Sequence, residues 1–310
     1  MKLHEFPEEF HDLISIVARE KHILESAVER DYYIVLMLQN LAKSEYADKC
    51  VFKGGTSLSK CYPDSIERFS EDIDLTFLGM ECGDKECDRT IKRIENLMTL
   101  GAETEKIPEE RSNRSKSMYV WHGNKSNRIK LEIGSTVRPD PYSRKQIKSY
   151  IQEYLEANGF DEDVRRFELN TVELNVLNIE RTFIDKIMAV KRHAYCGTLN
   201  EKVRHIYDVV RLYNMPEIKA FLEDKDKLKR LVQLTKETDS FYLERRNTPK
   251  DYSPLGSYDF DAWKDKFDST ARSNYEQLHK NLLYTDEKQS FDEAIKVFEE
   301  INALAKEIGE

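Results

Sequence analysis

Two stretches of the chain bring together residue types that handle phosphate and metal. The first is Phe52-Lys53-Gly54-Gly55-Thr56-Ser57-Leu58-Ser59-Lys60, and the second is Arg68-Phe69-Ser70-Glu71-Asp72-Ile73-Asp74-Leu75. Cys50-Val51-Phe52 is a short apolar run that Gly54-Gly55 breaks, and a stretch with helical spacing opens at Thr56 and ends at Pro63. That order predicts a strand, a glycine turn and a helix start. Glycines let backbone N–H groups approach a ligand, and the first turn of a helix leaves such donors unpaired with partial positive charge behind them. A phosphate fits there, at the Gly54-Gly55 turn and the helix start that follows it. In the second stretch, Asp72 and Asp74 are two apart on a predicted strand and so project from one face. Neighbouring carboxylates repel, and a hard divalent cation such as Mg²⁺ relieves the repulsion. A phosphate cradle followed sixteen residues later by a metal-binding pair (Thr56 to Asp72) suggests metal-dependent handling of a nucleoside triphosphate.

The elements that position these groups are legible from periodicity. Residues 8–20 and 24–47 read as helices, the second with an apolar face of Ala27, Tyr32, Ile34, Val35, Leu36, Leu38 and Leu41 suited to packing on a sheet. Glu29-Arg30-Asp31 near its start reads as an exposed charged turn. Residues 84–100 read as a covering helix, and Lys116 to His122 with Arg128 to Val137 as a hairpin. In the hairpin's second strand Ile129, Leu131 and Ile133 share one face and Lys130 and Glu132 the other, so Glu132 is a candidate third metal-facing carboxylate. From Arg111 to Lys130 there are six basic residues and no acidic one, an excess suited to steering a triphosphate or an RNA backbone, or to keeping an edge hairpin soluble. Gln146 to Ala157 reads as helix and Phe167 to Leu177 as extended. Helices then dominate, over Ile179 to Tyr195, Glu201 to Tyr213, Pro216 to Glu223, Lys225 to Glu244, Phe260 to Leu283 and Ser290 to Ile308, with a polar loop over Arg245 to Tyr258. The change of character predicts domains at 1–177 and 178–310. By spacing alone, Arg204 and Asp208 form an ordinary surface ion pair and Lys186 is a surface charge.

Composition narrows the class. With 310 residues, 39% hydrophobic and 35% charged, the chain suits one large globular domain or two smaller ones. Its formal net charge of −9 excludes general attraction to nucleic acid, so any such binding must be local. The start of the sequence has no apolar core like that of a signal peptide, and the longest apolar run, Tyr32 to Leu38, is too short to span a membrane. Five cysteines without C-x-x-C spacing read as reduced thiols rather than a disulfide framework or a zinc site. A cytoplasmic protein with no membrane association is expected.

Gly-Gly-Thr-Ser followed by Asp-x-Asp resembles the nucleotidyltransferase fold of DNA polymerase β and its relatives. Five segments, Val28-Glu29-Arg30-Asp31-Tyr32-Tyr33, Phe52 to Lys60, Arg68 to Leu75, Glu180-Arg181-Thr182-Phe183-Ile184-Asp185-Lys186 and Arg204-His205-Ile206-Tyr207-Asp208, resemble in order the motifs of AbiEii/AbiGii-type nucleotidyltransferase toxins. The resemblance implies an α+β nucleotidyltransferase domain, a mixed sheet with flanking helices, followed by a mostly helical C-terminal domain that completes the pocket. It implies phosphate binding by N–H groups at Gly55, Thr56 and Ser57 with Lys53 or Lys60 adding charge, Mg²⁺ held by the Ser70, Asp72 and Asp74 motif, and a pocket completed by Lys186 and Asp208. Lys186 would neutralise charge on the phosphoryl oxygens, and Asp208 would orient Lys186 or contact the nucleotide. Asp185 and His205 depart from residues often found at those places. The implied activity is transfer of a nucleotide from an NTP to RNA, the acceptor end of tRNA, by a toxin neutralised by a partner antitoxin. Nucleotidylation of a protein hydroxyl and a non-catalytic nucleotide-binding regulator are the alternatives.

Overall fold

The computed structural model describes residues 1–243, 248–281, 283, 285 and 287–310, apart from the side chains of 242 and 279–281. Two compact units emerge, Met1–Cys61 with Phe69–Leu177, and Tyr62–Arg68 with Asn178–Glu310.

In the first unit the chain runs α1 (Pro7–Lys21), α2 (Glu25–Ala42), β1 (Cys50–Lys53), α3 (Gly54–Cys61), β2 (Asp72–Phe77), α4 (Asp84–Met98), β3 (Glu103–Lys106), β4 (Ser115–Trp121), β5 (Ile129–Gly134), β6 (Tyr142–Ile147), α5 (Tyr150–Ala157), α6 (Asp161–Arg166) and β7 (Val172–Leu177). The strands form one sheet in the order β3-β4-β5-β2-β1-β7-β6. It is mixed: β2 runs parallel to β5 and β1 to β7, while the other neighbours are antiparallel. The α+β fold expected from the sequence is therefore present.

The sheet's face assignment follows from alternation. Ile73 pairs with Leu131 and Leu75 with Ile133, and all four are buried. Lys116, on the same face of β4 as buried Met118 and Val120, bonds Asp88 of α4, so that helix covers this side. Each such apolar side chain taken fully from water stabilises the unit by about 1.5–3 kcal/mol. The acid-bearing positions of β2 and β5 are left on the opposite face.

Three elements differ from the sequence reading. Residues 142–147, partly assigned to a helix, form the edge strand β6 paired with β7, and the helix begins only at Tyr150, where the Ser149 hydroxyl accepts the Gln152 N–H as an N-cap. The extended stretch expected from Phe167 becomes a strand only at Val172, after α6. Strand β3, Glu-Thr-Glu-Lys, is exposed throughout and carries no apolar signal; its pairing with β4 alone makes it a strand.

The second unit is helical: α7 (Ile179–Tyr195), α8 (Val203–Tyr213), α9 (Pro216–Glu223), α10 (Lys225–Leu243), α11 (Ser269–Asn281) and α12 (Phe291–Glu307). Its core joins Phe183, Ile187, Ile206 and Val210 with an aromatic cluster in which Phe260 lies 4.7 Å from Trp263 and 5.6 Å from Phe298 between ring centroids. The helix expected over Phe260 to Leu283 is replaced at its start by two short turns, Phe260–Ala262 and Lys264–Lys266. Of the loop expected over Arg245 to Tyr258, residues 245–247 lie outside the described residues. No described helix is long and apolar enough to cross a membrane.

Candidate active site

The first group of expected site residues gathers where β1, α3 and β2 meet. Lys53 pairs across the sheet with Asp74, and Asp74 pairs on its other side with Glu132 of β5, so these three side chains share a row. Asp72 and Asp74 project from the same face and stay partly exposed. Gly54 has φ +83°, and a Cβ built on it would lie 2.1 Å from Asp74 Oδ2. Only glycine satisfies both demands, the left-handed backbone and the room for the carboxylate. The glycine turn thus packs directly against the Asp74 carboxylate.

Hydroxyls tie the turn to the strand. Thr56 Oγ1 donates to the Asp72 carbonyl oxygen and lies 3.0 Å from Ser70 Oγ, and Ser57 Oγ donates to the Gly54 carbonyl at 2.9 Å. Thr56 and Ser57 are buried, so their hydroxyls serve the turn itself and the phosphate-binding capacity left to the segment is in its backbone N–H groups.

Glu132 has the register expected of it, but its carboxylate bonds Lys130 Nζ at 2.5 Å, and Lys130 also bonds Glu110. Among the described residues no three His, Cys, Asp or Glu side chains are grouped to hold a metal ion. The arrangement is a pair of aspartates with a glutamate alongside. That pair fits Mg²⁺, which takes hard oxygen donors and is commonly held by one or two carboxylates plus substrate phosphates.

Lys60 is committed elsewhere. Its ammonium bonds Asp31 Oδ1 at 2.7 Å, both side chains nearly buried, and lies 4.0 Å over the Tyr150 ring. Asp31 Oδ2 in turn accepts the Tyr150 N–H. Glu29-Arg30-Asp31 is accordingly no exposed turn: it lies within α2, with Glu29 accepting from Asn127 Nδ2 and Arg30 donating to Glu71, the neighbour of Asp72. A charged triplet in an otherwise apolar helix was the available signal for this role. The basic excess of the hairpin is also largely spent internally: Arg111 bonds Glu95, Arg114 bonds Asp84, Lys116 bonds Asp88 and Lys125 bonds Glu105. Arg128 instead lies over the Tyr119 ring at 3.9 Å.

The second group lies in the helical unit. Asp208 of α8 is fully buried, not a surface charge, and Arg204 is not its partner. Arg68 grips it with Nε on Oδ1 at 2.6 Å and Nη2 on Oδ2 at 2.8 Å, and Lys186 Nζ of α7 bonds Oδ2 at 2.7 Å. Burial opposes ionisation of Asp208, yet the two cations hold its carboxyl well below the usual range. Burial lowers the Lys186 ammonium from the ordinary lysine value; Asp208 opposes this and Arg68 adds to it. His205 Nδ1 lies 3.4 Å from Lys186 Nζ, and burial followed by the Lys186 charge keeps that imidazole neutral. Asp185 is engaged by Arg181 at 2.8 Å. Arg68 had no assigned role in the sequence reading, although it heads the aspartate motif.

A mixed sheet with a glycine turn set against an Asp-x-Asp strand defines a nucleotidyltransferase. The family model described as "Nucleotidyl transferase AbiEii toxin, Type IV TA system" matches residues 36–297, and the chain belongs to that family of toxin enzymes. No curated protein matches the chain. Among solved structures it is similar to MenT4, a nucleotidyltransferase toxin from Mycobacterium tuberculosis, at 16% identity and a TM-score of 0.52, covering 95% of this chain and 97% of that one. It is also similar to JHP933 from Helicobacter pylori, at 17% identity and a TM-score of 0.44 over 92% of each chain. At such identity the first likeness concerns the fold alone.

Proposed function

We propose that the protein transfers a nucleoside monophosphate from an NTP to an RNA acceptor such as the end of tRNA, releasing pyrophosphate, as the cytoplasmic toxin of a toxin–antitoxin pair restrained by a cognate antitoxin protein. The observation that carries the reading is the packing of the Asp74 carboxylate against Gly54, which supports a site where carboxylate oxygens for a metal adjoin backbone N–H groups for phosphate.

In this reading Asp72 and Asp74 hold Mg²⁺, which when bound supplies Lewis-acid polarisation of the phosphoryl group and neutralises its charge. Backbone N–H groups at Gly55, Thr56 and Ser57 take the β and γ phosphates, and Lys53, one strand from Asp74, adds positive charge. Ser70 steadies the turn through Thr56. An acceptor hydroxyl, its proton passing to water, forms a bond to the α-phosphorus as the bond to the bridging oxygen breaks and pyrophosphate leaves. Lys186 stabilises charge developing on the phosphoryl oxygens, and Asp208 orients Lys186, the role its 2.7 Å contact favours over a direct contact with nucleotide. Glu132, with Oε1 bonded to Lys130, would stand beside the metal as a further carboxylate.

The test is to incubate the purified protein with each labelled NTP, Mg²⁺ and total tRNA or cell lysate. Label on tRNA is expected. Label on protein would replace RNA with a protein hydroxyl as acceptor, and absence of label and pyrophosphate under all conditions would leave a nucleotide-binding regulator.

A further inference from the structure

The charge balance around Asp208 is uneven. One carboxylate, fully buried, faces two cations that are themselves nearly buried: side-chain exposure is 3% for Arg68 and 8% for Lys186. Among the described residues no second acid bonds Lys186: Arg204 of α8 acts on it electrostatically, His205 beside it is neutral, Asp185 on α7 is engaged by Arg181, Glu180 by Lys227 of α10 and Glu67 by Arg211. A lone Asp–Lys pair at 2.7 Å would neutralise itself and hold the ammonium tightly. Here the planar guanidinium takes both oxygens of Asp208 first, and Lys186 shares only Oδ2.

We infer that Arg68 is a positioning residue for Lys186: by claiming Asp208 with a two-point fork, it leaves the neighbouring ammonium oriented yet only partly neutralised, so that positive charge remains for an anionic reaction partner. The inference rests on the assignment of Lys186 to the phosphoryl charge. It also gives a purpose to the first residue of the aspartate motif, four positions before Asp72. The sign of its effect on titration is fixed. Arg68 disfavours the protonated form of Lys186, so removing its charge raises the Lys186 pKa and moves the alkaline limb of the rate profile to higher pH.

The experiment measures kcat and KM for NTP from pH 6 to 10, with thermal unfolding as a folding control, in wild type, Arg68→Gln, Arg68→Lys, Asp208→Asn, Lys186→Ala and the Arg68→Gln/Asp208→Asn double variant. Arg68→Gln should lower kcat about tenfold with KM changed less than about threefold, and shift the alkaline limb upward. Arg68→Lys keeps the charge and should hold the limb in place while recovering part of the rate. On the Asp208→Asn background, Arg68→Gln should cost little more, because the two act through one contact. A wild-type rate and limb in Arg68→Gln, or a loss with no limb shift that Arg68→Lys does not relieve, would overturn the inference. If Arg68→Gln fails to fold, Arg68→Lys decides: an unmoved limb with a partial rate supports it, and a moved limb or total loss opposes it. An unchanged rate in Lys186→Ala would instead overturn the underlying assignment of Lys186, a separate failure.

Discussion

The first unit presents Asp72 and Asp74 side by side on β2, partly open to water and shaped by backbone register and a glycine. The second encloses Asp208 completely and keeps it ionised with a guanidinium and an ammonium. The same side chain thus serves opposite ends. A carboxylate partly open to water can be reached by an incoming cation, whereas one enclosed with cations built into the protein becomes a fixed anchor that orients them. Neutralising each aspartate should therefore have a different consequence, and that contrast can be broken.

The largest effect is expected from Asp72→Asn, which on the proposed function lowers nucleotide transfer on the order of a thousandfold. Its thermal unfolding should stay near wild type, since Asp72 is partly exposed; transfer at the wild-type rate would end the metal assignment.

Asp208→Asn should show the reverse balance, with a stability loss of about 3–5 kcal/mol from two buried cations left facing a neutral amide. Urea unfolding measures it. The pH dependence follows from the sign of the shift. Because the folded Asp208 carboxyl lies below its ordinary value, its contribution is fully present above about pH 4 and is lost as the pH falls below that. The stability gap between wild type and Asp208→Asn should therefore be constant from pH 7 to 5 and narrow in stronger acid. A gap that is absent at neutral pH would show that the carboxylate is not an anchor.

Gly54→Ala tests the contact between turn and strand. The forced left-handed backbone alone costs about 1–2 kcal/mol, and displacement of the Asp74 carboxylate should lower transfer about a hundredfold. Retained activity would mean that the close approach is incidental. The smallest change is expected at Glu132, whose carboxylate is occupied by Lys130: Glu132→Gln should alter transfer less than about threefold, consistent with a partly exposed ion pair. A loss as deep as that of Asp72→Asn would instead make Glu132 a full member of the metal site.

Much of this arrangement is legible in the sequence. The alternation in Ile129, Leu131 and Ile133 gave the buried face of β5, and Asp72 and Asp74 lie together because strand side chains repeat every two residues. The helix limits at α7 and α9 follow apolar periodicity and a leading proline at Pro216. Strand β3 was not legible, because its Glu-Thr-Glu-Lys sequence becomes extended only through pairing with β4. Nor were the destinations of Lys60 and the hairpin's Lys116, since a charged side chain does not encode which distant carboxylate it will meet.

Local sequence determined the glycine turn, the paired aspartates and the family to which the chain belongs, because each depends on residues close together along the backbone. Tertiary structure alone decided that Asp208 is buried and that Arg68, 140 residues away, grips it beside Lys186. Spacing within one helix cannot reveal which partners burial will supply, and it is burial without water that turns an ordinary charge into one that must be matched.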